Sequence, residues 1–136
     1  MDNFEQIRRY LHTAGYRLTM QEPLMVCVEL SLDHGARHQS IFLAELQDDD
    51  GRPYLRTSTA IAPITGVDTR RALVFNWHSR MGYLAIGDMD DIPYLQLCEN
   101  RPFESLTAAE IDRLVLEIGG LGDAMERKLS AGGDLL

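Results

Sequence analysis

The chain has 136 residues, of which 45% are hydrophobic, and its 21 acidic and 13 basic side chains give a net charge of −8. This length suits one domain whose core needs neither disulfides nor a metal for stability. The acidity disfavours nucleic acid and anionic membrane surfaces as partners. No apolar run approaches the length of a membrane span, and the N-terminus lacks the apolar core of a signal peptide. We therefore expect a soluble cytoplasmic protein with a single domain over residues 1–136 and a frayed tail at 130–136.

The first segment is predicted to be a helix. Asp2 and Glu5 have the spacing of a capping box, in which two side chains satisfy free backbone N–H groups. Apolar residues follow at helical spacing, and Gly15 is the residue type that most often ends a helix. Together these signals predict a helix over residues 3–14.

Three strands are predicted next. Alternation over residues 24–32 predicts a strand with one buried face. Two further strand-like segments, 40–47 and 54–64, flank an acidic turn, and the second of them is rich in β-branched and aromatic residues. We expect the three strands to form an antiparallel meander.

A short helix and a hairpin are predicted after the meander. Thr65 and Asp68 have capping spacing for a helix that continues to about His78. Segments 82–87 and 92–99 are apolar and are joined by an acidic turn, which is a strong hairpin signal. We expect these two strands to pair antiparallel.

The last helix has the clearest local signature. Thr107 and Glu110 form a capping box, and the helix is predicted to continue to about Leu129. Six residues spaced by four and three form its expected buried stripe: Ile111, Val115, Ile118, Gly122, Met125 and Leu129. Three glycines that each cost about 1 kcal/mol relative to alanine are expected to allow close packing or a bend: Gly119, Gly120 and Gly122. The expected fold is α+β, in the order α-β-β-β-α-β-β-α, with an antiparallel five-stranded sheet and the helices packed on one face.

Motifs for catalysis or for cofactor binding are not recognisable. The chain has no nucleophile elbow, no P-loop and no zinc-protease motif. His34 and His38 are four residues apart, but the sequence offers them no third zinc ligand. Cys27 and Cys98 are isolated within apolar strands, as buried thiols often are. We therefore predict no catalytic residue, no cofactor and no metal ion.

The second helix predicts an interface between two copies of the chain. Leu73, Phe75 and Trp77 cannot all point to one side, because successive helical residues are about 100° apart. One side can cover the sheet, and a symmetric partner is the commonest cover for the other. We assign these residues, with Tyr83 and Tyr94 of the adjacent hairpin, to the dimer interface. Core packing is the alternative role for the aromatic residues among them.

The element order and the second half of the chain resemble the type III secretion chaperone-like superfamily. The resemblance is carried by the helix Leu73 to Trp77, the strand Gly82 to Ile86, the segment Leu95 to Leu106 and the long terminal helix. The superfamily includes class I chaperones of the CesT/Tir type and YbjN-like regulators of sensory transduction. The opening segment LHTAGYRL is most similar to the YbjN-like branch.

This resemblance implies a small, acidic, cytoplasmic homodimer that binds a protein or peptide and is not an enzyme. We assign Met25 and Cys27, on the second face of the strand over 24–32, to partner binding. Three functions stay open, because a fold does not determine a function. They are a type III secretion chaperone that holds a segment of its partner, a YbjN-like regulatory or stress-related binding protein with no secretion role, and a small-molecule enzyme.

Overall fold

A computed structural model describes residues 1–130 of the chain. Three helices and six strands follow one another in it: α1 (Phe4–Thr13), β1 (Arg17–Glu22), β2 (Met25–Leu32), β3 (Arg37–Gln47), β4 (Pro53–Pro63), α2 (Thr69–His78), β5 (Tyr83–Met89), β6 (Ile92–Pro102) and α3 (Ala108–Ser130). Short 3₁₀ turns span Asp33–Gly35 and Phe103–Ser105. The predicted frayed tail at 130–136 lies outside the described residues, apart from the backbone of Ser130.

All six strands form one antiparallel sheet in the order β1-β2-β3-β4-β6-β5. The α+β class and the antiparallel pairing are confirmed, but the prediction of five strands is wrong by one. The additional strand is β1, which pairs with β2 across the tight turn at Pro23 and Leu24. It lies at the edge of the sheet with its side chains exposed or half-buried, so its apolar pattern is weak.

The predicted hairpin between β5 and β6 is confirmed. The two strands pair from Tyr83↔Cys98 to Met89↔Ile92. The two residues of the turn, Asp90 and Asp91, have φ angles of 51° and 66°. Positive φ at both positions is the geometry of a two-residue hairpin turn that matches the twist of the strands.

The three helices pack on the same face of the sheet, as predicted, and α2 lies there with α1 and α3. One buried cluster joins α1 and the first half of α3 to β2, β3 and β4, with Ile7, Leu11, Leu43 and Leu114 fully buried in it. A second cluster joins α2 and the second half of α3 to β4, β5 and β6: Ile61, Ala72, Leu84, Leu95, Leu97, Ile118 and Met125. The predicted stripe of α3 is therefore confirmed, with only its last residue, Leu129, half-buried.

Two of the three glycines in α3 allow the helix to approach the sheet closely. A β-carbon at Gly122 would lie 2.4 Å from Thr59 Cγ2, and one at Gly119 would lie 2.6 Å from Leu30 Cδ2. Both distances are too short for carbon atoms, so a side chain at either position would force its neighbour or the helix to shift. A β-carbon at Gly120 would meet nothing within 4 Å, so this third glycine has no such role.

Local caps begin each helix, although two of them differ from the predicted residues. Asn3 rather than Asp2 caps α1, and its side chain accepts from the backbone N–H of Gln6. Asp68 itself caps α2 by accepting from two backbone N–H groups, so Thr65 is not the cap. Thr107 accepts from the N–H of Glu110 at the start of α3, as predicted. A short polar side chain one residue before the first turn is the feature common to all three.

A polar seam ties the end of α3 to β3 and β4. Gln39 Nε2 donates to Thr59 Oγ1 at 2.8 Å and to Glu126 Oε1 at 2.9 Å. Asp123, only 5% exposed, accepts from Arg37 Nε at 3.1 Å. Burial raises the pKa of the Glu126 carboxyl, and the hydrogen bond from Gln39 opposes that shift.

Candidate functional site

The face of the sheet opposite the helices carries a row of side chains that crosses all six strands. Direct pairing across the ladders joins its members in order: Met20, Cys27, Phe42, Ser58, Cys98 and Tyr83. Successive residues in a strand point to opposite faces, so this row lies opposite the buried leucines and valines beneath the helices. Within residues 1–130 no helix covers it. The row is the centre of the surface that we call the open face.

The open face is concave. A hollow of about 440 Å³ is lined by residues from all six strands, including Met20, Met25, Phe42 and Met89. Strands at opposite edges of the sheet can line one hollow only if the sheet curves around it. Ser58 of the row lines the hollow, and the three small side chains of the row are each 6% exposed or less: Cys27, Ser58 and Cys98.

The hollow combines apolar side chains with polar and charged ones. Methionines enter it from three strands, and their unbranched thioethers adjust to irregular partners. Arg56 lies among them, and Glu22, Asp88 and Asp90 add carboxylates to the lining. Such a surface can bind an apolar segment and can tolerate polar residues on either side of that segment.

The Cys98 thiol is not suited to nucleophilic chemistry. Burial raises its pKa to about 11, and the nearby Arg56 guanidinium only partly opposes that shift. A thiol with this pKa is protonated at neutral pH, whereas the nucleophile is the thiolate. Cys98 therefore acts as a small apolar side chain in the open face.

A second exposed apolar surface lies on α2. Leu73 is 69% exposed and Trp77 is 84% exposed, and they are one helical turn apart on the same side. The side of the helix that carries Ala72 and Asn76 packs on the sheet, where Asn76 Nδ2 donates to the carbonyl of Leu84 and Asn76 Oδ1 accepts from the N–H of the same residue. We call the pair Leu73 and Trp77 the α2 strip.

The residues predicted for the dimer interface fall on three separate surfaces. Leu73 and Trp77 lie together on the α2 strip. Phe75 is half-buried on another side of α2, against the second core cluster. Tyr83 and Tyr94 alternate with buried residues of β5 and β6, so they lie on the open face.

The residues predicted for partner binding belong to the open face. Met25 lines the hollow. Cys27 lies in the row but is only 5% exposed, beneath the larger side chains. The sequence reasoning missed Met20, Phe42 and Met89, which also line the hollow. The spacing of Leu18 and Met20 could not have located Met20, because the register shifts between them and places Leu18 opposite Val28 but Met20 opposite Cys27.

The described residues contain no recognisable metal centre. Among residues 1–130 no group of three or more His, Cys, Asp or Glu side chains is close enough to hold a metal ion. His34 lies in the 3₁₀ turn with a φ of 54°, and His38 follows it on β3. None of the helices in this part of the chain is sufficiently long and apolar to cross a membrane.

Two solved structures share this fold. One chain in the crystal structure of the ExsC–ExsE complex matches with a TM-score of 0.64 and 16% identity, over 93% of this chain and 96% of that chain. One chain in the structure of the HopA1–SchA chaperone–effector complex matches with a TM-score of 0.59 and 10% identity, over 88% of each chain. No protein-family model matches the sequence, and no curated protein matches it.

These matches define the class of the fold. This chain shares the α+β fold of the matched chains in these two complexes, in agreement with the fold that the resemblance implies. At this level of identity the likeness concerns the fold alone, and a function must be argued from the surfaces.

Proposed function

We propose that this protein is a cytoplasmic, non-enzymatic binding module that works as a homodimer, in the manner of a type III secretion chaperone, and holds a segment of a partner protein. The observation that carries the proposal is the open face, a concave surface lined by methionines and left without a helical cover within residues 1–130. The shared fold supports it, because one of the matched structures is a chaperone–effector complex. The partner itself is unidentified.

The open face fits an apolar, unfolded segment better than a small polar ligand. Its hollow crosses the whole sheet and opens to solvent along a row of strands, so an extended chain has room to lie in it. Met20, Met25 and Met89 are each half-buried and keep apolar surface available for contact. Burying that surface against a partner is favourable by about 25 cal/mol per Å².

The α2 strip supports the homodimer. Trp77 is the only tryptophan of the chain and is 84% exposed, so its large apolar surface has no cover within the described residues. The Asn76 side chain already forms hydrogen bonds with the carbonyl and the N–H of Leu84 on the edge strand β5. These backbone groups are therefore not available to pair with a strand of a second copy. We therefore propose that two copies meet through side chains of α2, with Leu73 and Trp77 at the centre.

The dimer is tested by light scattering at micromolar concentration. The wild type is expected at about 31 kDa, twice the 15.4 kDa of one chain. Trp77→Asp should shift the mass toward the monomer, because a dimer would have to bury an unpaired charge. Leu116→Asp is the matched control, since Leu116 is also exposed, at 54%, but lies on α3. A wild-type mass of one chain at every accessible concentration would refute the homodimer.

Partner binding is tested with a permanently unfolded protein, reduced and carboxymethylated α-lactalbumin. Wild-type protein is expected to bind the labelled probe in fluorescence anisotropy. Met25→Glu and Met89→Glu should each weaken binding by about tenfold, because each places a charge in the apolar hollow. Leu116→Glu should bind as the wild type does. Equal binding by all four proteins would show that the open face is not the binding surface.

The YbjN-like regulator is the second candidate, and the segment at residues 11–18 favours it. That segment forms the end of α1, the turn at Gly15 and the start of β1. Both candidates use a protein-binding surface, so binding assays on this chain do not separate them. The identity of the partner does: a secreted protein encoded next to this chain supports the chaperone, and a regulatory protein supports the alternative.

A further inference from the structure

A groove of about 720 Å³ lies between α2 and α3, on the helical side of the molecule. Phe75 and Met125 are its most buried apolar residues, and Val74 and Leu121 line it with 50% and 39% of their surfaces exposed. The groove is therefore apolar and accessible. It is also separate from the open face, which lies on the other side of the sheet.

The groove is separate from the α2 strip as well. Leu73 and Trp77 do not line it, although each is adjacent along the helix to a residue that does. On a helix wheel, Val74 and His78 are displaced from them by about 100° toward α3. The groove and the α2 strip are therefore adjacent but distinct surfaces of α2, and Arg70 lies at the border between them.

The charge of the groove is opposite to that of the chain. Arg70, Arg71 and Lys128 line it, and among the lining residues within 1–130 Asp68 is the only carboxylate. Asp68 also lies 3.7 Å from Arg71. The described residues that line the groove thus carry a net charge of about +2, in a chain whose net charge is −8. Lys128 is the only lysine of the chain.

We propose that the groove between α2 and α3 binds an acidic amphipathic segment of a partner protein. Apolar side chains of that segment pack on Val74, Leu121 and Met125, and its carboxylates lie near Arg70 and Lys128. The ten residues of α2 provide a wall of about 15 Å, which suits two or three turns of a helix laid in the groove. This inference rests on the proposed function as a protein-binding module but adds a second site and the chemistry of its ligand.

The charge pattern favours a partner over a second copy of this chain. The acidic runs at residues 48–50 and 88–91 lie in the tight turns between strands or, for Asp88, at the end of the strand that leads into the turn. A tight turn offers carboxylates without the adjacent apolar helical face that the groove requires. A second copy is therefore one of the outcomes that the experiment must detect.

The test uses two fluorescein-labelled helical peptides of about 16 residues, with leucines at helical spacing and either glutamate or lysine at the other positions. Fluorescence anisotropy with the full chain should show micromolar binding of the glutamate peptide and binding at least about tenfold weaker of the lysine peptide. Val74→Asp and Lys128→Glu should each weaken binding of the glutamate peptide by about tenfold. Added salt should weaken it further, because the attraction is screened.

Matched controls separate the groove from general charge and from the open face. Arg9→Glu reverses an exposed cation on α1, and Leu116→Asp adds a charge at a residue about as exposed as Val74. Both should bind the glutamate peptide as the wild type does. Met89→Glu should bind the unfolded probe about tenfold more weakly but bind this peptide as the wild type does, so the two proposals can fail independently.

Three results would overturn the inference. Equal binding of the two peptides would remove the charge preference. Unchanged binding by Lys128→Glu, which is a solvent-exposed change that leaves the core intact, would place the peptide elsewhere. Conversion of a dimer to a monomer by Val74→Asp would show that the groove is covered by a second copy of the chain.

Discussion

Replacing each of the three glycines in the middle of α3 by alanine tests how closely that helix approaches the sheet. Each of the changes Gly119→Ala, Gly120→Ala and Gly122→Ala recovers about 1 kcal/mol of helix propensity. The positions differ in what the added β-carbon meets. The three variants are therefore internal controls for one another.

At Gly120 the β-carbon meets open space. The propensity gain is then unopposed, and we expect Gly120→Ala to stabilise the protein by about 1 kcal/mol, with a Tm about 4 °C higher. At Gly122 the β-carbon would lie 2.4 Å from Thr59 Cγ2. Thr59 is fully buried, and its hydroxyl donates to the carbonyl of Ser40 at 2.7 Å and accepts from Gln39 at 2.8 Å.

Thr59 therefore cannot rotate away without breaking hydrogen bonds, and the methyl must be accommodated by moving the helix. Such overpacking costs about 1–3 kcal/mol. After the propensity gain of about 1 kcal/mol is subtracted, Gly122→Ala should be destabilising by up to about 2 kcal/mol. Gly119→Ala meets the ends of Leu30 and Ile41 at 2.6 and 2.9 Å. Leu30 is half-buried and can shift, so this variant should fall between the other two.

The assay is urea unfolding of the wild type and the three variants, with the slope of each transition fitted. Equal slopes allow the midpoints to be compared directly as changes in the free energy of unfolding. The expected order of stability is Gly120→Ala, then Gly119→Ala, then Gly122→Ala. A Gly122→Ala variant as stable as Gly120→Ala would refute the close approach of α3 to β4.

Three other predictions concern the core, the polar seam and the open face. Ile118→Ala should lower the free energy of unfolding by about 2–4 kcal/mol in urea melts, because Ile118 is fully buried. Asp49→Ala changes an exposed turn residue and should have almost no effect. Similar unfolding midpoints for the two variants would contradict the core assignment. Burial raises the pKa of Glu126 above 4.5, so folding favours its protonated form. The stability that this group contributes therefore falls as the pH rises from about 4.5 through the higher pKa of the folded state. Glu126→Gln should therefore become increasingly more stable than the wild type above about pH 4.5 in urea melts, and a constant difference would count against it. Cys98, with a pKa of about 11, should react with iodoacetamide at pH 8 at least about 100-fold more slowly in the native protein than in urea, and equal rates would show that the thiol is exposed.

Local sequence signals determined the elements whose patterns are complete within a few residues. The apolar residues from Ile111 to Met125 recur every three or four positions, and this spacing alone predicts which face of the helix is buried. The hairpin between β5 and β6 was equally readable, because two aspartates between alternating apolar segments form a turn by themselves. Close packing at Gly119 and Gly122 was among the roles predicted from the sequence, because glycine destabilises a helix unless it allows close packing or a bend.

Only the tertiary structure decided features that depend on residues far apart in the chain. Strand β1 has little apolar surface of its own and is a strand because β2 offers it backbone hydrogen bonds. The hollow of the open face requires the curvature of all six strands, so Met89 could not be placed beside Met20 from the sequence. Likewise, the helical spacing of Leu73, Phe75 and Trp77 shows that they diverge, but the packing of α2 on β5 determines which of them face solvent. Local pattern specifies which face of an element is apolar, whereas what covers that face is a property of the whole fold.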